Sequence, residues 1–146
     1  MASPLRYPAT PYLPEPLLDF NPIEERRRLS PSSLIMFFNL MKLWNVPDES
    51  ARLLLGGVSN RLFCQLQRNP KRSVLNVDQM FRVSYLLGIF KSLNILHAQK
   101  LADEWVTIPN RSALFGGTTP LDYMIAGGLP AMQNVRRLLD GRRGGE

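Results

Sequence analysis

Residues 77–96 read VDQMFRVSYLLGIFKSLNIL, and twelve of these twenty are apolar. Just upstream, Asn76 with Gln79 has the spacing of a capping box, in which each side chain satisfies a backbone donor of the other residue. That start signal, a length near twenty and the lack of any period-2 alternation predict one long helix. A helix that is apolar nearly all round belongs in the middle of a protein. Asp78, Arg82 and Lys91 interrupt it, so it reads as a core helix and not as a membrane span. Gly88 lies within it and predicts the close approach of a neighbour.

Helices are predicted on both sides of this segment. Ser30-Pro31 has the form of an N-cap with proline at the first helical position. Leu34, Phe37, Phe38, Met41 and Trp44 follow at helical spacing. Pro47-Asp48-Glu49 opens a short helix that ends at Gly56-Gly57. Ser59 caps a third, with Leu62, Phe63 and Leu66 turned inward. Downstream, a short helix over about 97–106 stops at Ile108-Pro109-Asn110, and Phe115-Gly116-Gly117 makes a tight turn. Thr119-Pro120-Leu121-Asp122 again combines a cap, a proline and an acid in the first turn. That helix ends at Gly127-Gly128. Pro130 starts a last one, with Met132, Val135, Leu138 and Leu139 on one face and Gly141 as its stop. No stretch reads as a strand. The expectation is an all-α fold of about seven helices in two layers.

The chain divides into a Pro-rich extended arm (1–29), a helix-turn-helix-like portion (30–75), the central helix (76–96) and a C-terminal domain (97–146). Six of the twelve prolines fall in residues 1–22, where they interleave with Tyr7, Tyr12, Leu13, Leu17, Leu18 and Phe20. Proline fixes φ and removes a donor, so neither helix nor central strand persists in such a stretch. No apolar signal core opens the chain, and the single cysteine, Cys64, cannot form an internal disulfide. A reducing cytoplasm fits.

Catalytic chemistry is poorly supplied. The only histidine, His97, is far from Cys64 in sequence, and no nucleophile elbow, phosphate-binding loop or dinucleotide fingerprint occurs. Asp103 and Glu104 are adjacent, so they do not share a helix face. No cluster has metal-ligand spacing. The reading is a binding protein with no catalytic residue, no metal and no cofactor, not an enzyme. The net charge of +6 favours an acidic partner. From Ser50 to Val77 there are five basic residues and no acid.

Within that stretch, ARLLLGGVSNRLFCQLQR (51–68) has the order helix, glycine turn, capped helix. Val58 would pack between the helices. Ser59, Asn60 and Arg61 would stand at the tip of a recognition helix, with Arg61, Gln65 and Arg68 along one face and Lys71 and Arg72 beyond it. Such side chains meet phosphates and can read base edges. A helical corner with solvated basic residues has the same pattern. Leu55 holds the place of the usual glycine, and the glycines follow at 56 and 57.

The C-terminal third resembles the toxin-binding domain of the Xre/MbcA/ParS antitoxins. The residues that carry the likeness are Trp105 through Asn110 (WVTIPN), Leu114 through Asp122 (LFGGTTPLD), Gly127-Gly128 and Val135 through Asp140 (VRRLLD). The run RVSYLLGIFK (82–91) is similar to the ParS-type branch. The likeness spans about residues 30–145 and leaves out the arm. It implies the antitoxin of a type II pair, which covers the active site of a RES-type toxin that degrades NAD or uses it to ADP-ribosylate a target. It also implies a homodimer, a hetero-oligomer with the toxin, and binding to the operon's own DNA. The expected toxin contacts are Phe115, Leu121, Asp122, Arg136, Arg137, Asp140, Arg142 and Arg143, with Arg136, Arg137 and Asp140 free to face the partner once Met132, Val135 and Leu139 turn inward. A helix-turn-helix repressor without a toxin partner is the alternative.

Overall fold

The computed structural model describes residues 19–144 and contains six α-helices and no strand among them. These are α1 (Ile23–Leu43), α2 (Asp48–Leu54), α3 (Asn60–Arg68), α4 (Val77–Leu96), α5 (Gln99–Glu104) and α6 (Pro120–Arg143), with short 3-10 turns at Pro70–Arg72 and Trp105–Thr107. α6 is broken at Gly128, whose φ of 66° and ψ of −146° are open only to glycine. Counting its two segments separately gives the seven predicted helices. The extended conformation expected for residues 1–18 and the last two residues of the tail lie outside the described residues.

α4 is the axis of the molecule. α1 packs along one side and α6 along another, with α5 at its C-terminal end. Val83, Leu86, Ile89 and Leu93 of α4 are buried between Leu34, Phe37 and Leu40 of α1 and Met132, Val135 and Leu139 of α6. One continuous core thus runs from α1 to α6. The capping box at the head of α4 is present in both directions: Gln79 N donates to Asn76 Oδ1 at 2.8 Å, and Asn76 N donates to Gln79 Oε1 at 2.9 Å.

Three local expectations are corrected. α1 begins at Ile23, so residues 23–29 are helical and Ser30-Pro31 lies inside the helix instead of capping it. Glu24 and Glu25 occupy the first turn, where the dipole favours acids. Ser30 is fully buried, and its Oγ accepts from Leu75 N at 2.9 Å, which ties the middle of α1 to the approach of α4. An interior proline costs about 3 kcal/mol; this long-range bond and the packing of Leu34 and Phe37 offset it. Secondly, Gly141 does not end the last helix, which continues to Arg143. Arg143 Nη1 donates to Ser92 Oγ of α4 at 3.1 Å, so the final turn is anchored to the core helix. Thirdly, Leu62 is 37% exposed, and only Phe63 and Leu66 of α3 are buried.

Candidate functional site

The C-terminal domain is built on a self-bonded loop. Asn110 N donates to Thr118 O at 3.0 Å and Gly117 N to Asn110 O at 2.9 Å, closing residues 110–118 into a compact turn. Gly116 and Gly117 supply the positive φ values, 59° and 93°, that this closure needs. The turn drives Phe115 inward, edge-on to Trp105 at 5.7 Å and to Tyr123 at 5.3 Å between ring centroids. Edge-to-face pairs are worth about 0.5–1.5 kcal/mol beyond their buried area. Thr119 then caps α6, its Oγ1 accepting from Asp122 N at 3.0 Å. Tyr123 Oη accepts from Asn134 Nδ2 at 3.0 Å, which braces the two segments of α6 across the Gly128 break.

The expected contact residues therefore separate into two sets. Phe115 and Leu121 are buried, and they shape the domain from within. Asp122, Arg137, Asp140, Arg142 and Arg143 are exposed. Arg136 is corrected: it is not free. Its side chain is only 16% exposed and lies across the backbone of Gly88, and its Nε donates to Asp140 Oδ2 at 3.1 Å. Asp140 also faces Arg143 Nη1 at 3.7 Å and accepts from Ser92 Oγ at 3.3 Å. Asp140 is thus engaged as well, although its side chain stays 45% exposed.

This network includes two α4 residues that sequence reasoning did not assign to the site. Gly88 and Ser92 are small residues one helical turn apart, and that spacing was the available signal. They leave a shallow step on α4 in which the arginine heads of α6 lie. Tyr85 belongs to the same step, where its hydroxyl accepts from Gln133 Nε2 at 3.2 Å. Tyr85, Gln133, Arg136, Arg137 and Asp140 line an open surface cleft there.

The basic surface lies on the other half of the molecule. Ser59 Oγ accepts from Leu62 N at 3.1 Å, the expected cap of α3. Gly56 and Gly57 form the turn before it, with φ of 108° and 72°. Arg52 spans that turn: Nη1 donates to Val58 O at 2.7 Å and Nε to Glu49 Oε2 at 3.2 Å. This ion pair holds the Glu49 carboxyl below the ordinary range, chiefly through the hydrogen bond from Arg52. Val58 is half-buried against the core, and Phe63 meets Phe38 of α1 edge-on at 5.4 Å. Asn60, Arg61, Gln65, Arg68, Lys71 and Arg72 are all exposed, as is Ser59. Arg68, Lys71 and Arg72 line one shallow cleft with Asn69 and Pro70. The other basic residue of the stretch, Arg52, is turned to Glu49.

Arg82 joins the two halves. Its Nε donates to Asp78 Oδ2 at 2.7 Å and its Nη1 to Leu54 O at 3.4 Å. The same guanidinium touches the space above both Gly56 and Gly128.

No group of three or more metal-ligating side chains gathers among the described residues. Cys64 is exposed on α3, and His97 stands at the C-terminal cap of α4. No described helix is long and apolar enough to cross a membrane.

Residues 92–145 match the model of the antitoxin Xre/MbcA/ParS C-terminal toxin-binding domain. The C-terminal third of the chain is thus similar to this antitoxin domain. Over 132 residues the chain is also 31% identical to the uncharacterized protein y4oB of Sinorhizobium fredii (strain NBRC 101917 / NGR234), a match that covers 90% of this chain and 98% of that relative. No solved structure matches the chain. The family match takes in α5, the Phe115 loop and α6, the elements that carry the aromatic cluster and the arginine network. The matched domain is a toxin-binding one, a binding role and not a catalytic one.

Proposed function

We propose that this chain is an antitoxin, the neutralising member of a type II pair, and that it covers the active site of a RES-type toxin that consumes NAD or uses it to ADP-ribosylate a target. The observation that carries this reading is the last segment of α6. It lies in the matched toxin-binding domain, its inner face is locked by Met132, Val135 and Leu139, and its outer face presents Arg137, Asp140, Arg142 and Arg143. A surface held this firmly loses little conformational entropy on binding. Arginine is a favoured interface anchor. Phe115 and Leu121 act from inside, by fixing where α6 starts, and Asp122 extends the face at its first turn.

Co-expression with the adjacent reading frame tests the proposal. The frame alone is expected to arrest growth and to lower cellular NAD or label a target with ADP-ribose. The antitoxin relieves the arrest, and the antitoxin truncated after Leu139 does not, while its circular dichroism stays helical. Arrest that the intact antitoxin leaves unrelieved would refute the pairing, and relief by the truncated chain would move the interface off the end of α6.

A second activity is supported by the exposed face of α3. We propose that Ser59, Asn60, Arg61, Gln65, Arg68, Lys71 and Arg72 bind the operon's own DNA, with the chain acting as a homodimer. A repressor without a toxin partner would show this activity alone. Gel-shift titration of the upstream region, run beside the co-expression assay, separates the two.

A further inference from the structure

The cleft between Tyr85 of α4 and Gln133, Arg136, Arg137 and Asp140 of α6 has a volume of about 200 Å³. Small-molecule pockets run from about 300 to 1,000 Å³, so this one has room for a side chain and little more. Its walls are fixed before anything arrives. Gln133 Nε2 donates to Tyr85 Oη at 3.2 Å across the seam between the two helices. Arg136, laid over Gly88, donates from Nε to Asp140 Oδ2 at 3.1 Å. Groups held in place beforehand lose little freedom on binding.

Two donors remain for a partner. Tyr85 Oη accepts from Gln133, so the hydrogen of its own O–H is left over, and no described residue accepts it. Arg137 is exposed and makes no hydrogen bond or ion pair with a described residue. Asp140 does not cancel that charge, because Arg136 and Arg143 already pair with it, at 3.1 and 3.7 Å. The lining thus sets two arginines against one carboxylate.

We infer that this cleft takes the carboxylate of an Asp or Glu side chain on the protein partner, an inference that rests on the toxin-binding role proposed for α6. A carboxylate only accepts, and its two oxygens can take the planar guanidinium of Arg137 together with the Tyr85 hydroxyl. Nucleic acid is a poorer match. Its charges form a continuous row, and the Asp140 carboxylate, 45% exposed, would stand among them.

Titration of the full-length chain with an end-blocked tetraglutamate peptide, followed by NMR, tests the inference. The amide signals of Tyr85, Gln133 and Arg137 are expected to shift together, and added salt should weaken the response. Arg137→Gln and Tyr85→Phe should each weaken binding about tenfold, the loss of one hydrogen bond to a charged group, while the spectrum stays dispersed. Shifts confined to Arg61, Arg68, Lys71 and Arg72 would overturn the inference, as would equal binding by parent and variants. So would a response only to a tetraglutamine peptide with a free C-terminus, which offers a terminal carboxylate, or a stronger response of the cleft to a short DNA duplex. Pull-down of the adjacent frame's product separates the cleft from the pairing. Cleft shifts with no pull-down would uphold the carboxylate site and refute the pairing. Pull-down that both substitutions leave intact would uphold the pairing and overturn the cleft as part of its interface.

Discussion

The guanidinium of Arg136 occupies the volume that a side chain at Gly88 would fill. A Cβ at position 88 would collide with Nη1 and lie 2.6 Å from Cζ. The glycine therefore serves the approach of a long polar side chain from α6, and through it the seating of Asp140 and Arg143. Gly88→Ala adds a better helix former in mid-helix, worth about 1 kcal/mol in favour, but evicts Arg136. The far end of arginine can swing away, so the fold is expected to survive. Denaturant titrations of Gly88→Ala, Arg136→Ala and the double variant should show coupling of about 0.5–3 kcal/mol. Additive effects would mean that Arg136 does not depend on the missing Cβ.

Gly128 has a backbone conformation that side chains rarely tolerate. Gly128→Ala is expected to cost about 1–3 kcal/mol and to misalign the two segments of α6. Thermal unfolding reads the cost, and toxin pull-down reads the misalignment. A stability equal to the parent's would show that the break relaxes freely.

The Trp105–Phe115–Tyr123 cluster predicts a larger effect. Phe115→Ala removes the middle ring from a site that is 4% exposed, and such truncations cost about 3–5 kcal/mol. Toxin binding should fall with the folded fraction. Unchanged urea unfolding would mean that the loop holds its shape without the ring.

On the DNA side, Arg61→Ala combined with Arg68→Ala should weaken operator binding and flatten its dependence on salt, by about one unit of log–log slope for each phosphate no longer neutralised. A salt series of gel shifts measures both. Equal slopes in parent and variant would remove this face from the DNA interface.

The Glu49–Arg52 pair gives a pH signature. Its carboxyl titrates below the ordinary range in the folded chain because of the hydrogen bond from Arg52. The folded state therefore prefers the ionised form. The stabilisation is present above the unfolded value of about 4.3 and is lost as the pH falls through the lower folded value. Glu49→Gln should flatten that part of the acid-unfolding profile around the Gly56-Gly57 turn. An unaltered profile would show that the pair is only loosely held by solvent-exposed chains.

Much of this architecture was legible because caps are local. Ser59, Asn76 with Gln79, and Thr119 each announce a helix start through a bond to a residue three positions away. The glycine turns at 56–57, 116–117 and 127–128 were readable for the same reason. Long-range partners were not. Ser30-Pro31 has the form of a cap, yet Ser30 bonds to Leu75, and nothing near Ser30 announces that partner. Gly88 signalled close approach, but only the folded chain shows that Arg136 makes it. Helical periodicity placed Arg136 on the outer face, because it follows backbone direction and a long side chain can fold back over a glycine. The inward set of Met132, Val135 and Leu139 depended on periodicity alone and was read correctly.

Arg82 and the shared α4 core have a practical consequence for dissecting this molecule. The segment recognised as a toxin-binding domain starts at residue 92, near the end of α4, whereas α6 rests on α4 from Tyr85 onward. A fragment cut at that boundary would strip Val135 and Leu139 of the α4 core they pack with and leave the Gly88 step behind. Evolution's unit of recurrence is here smaller than the physical unit that folds, and any excised version must take α4 with it from Asn76.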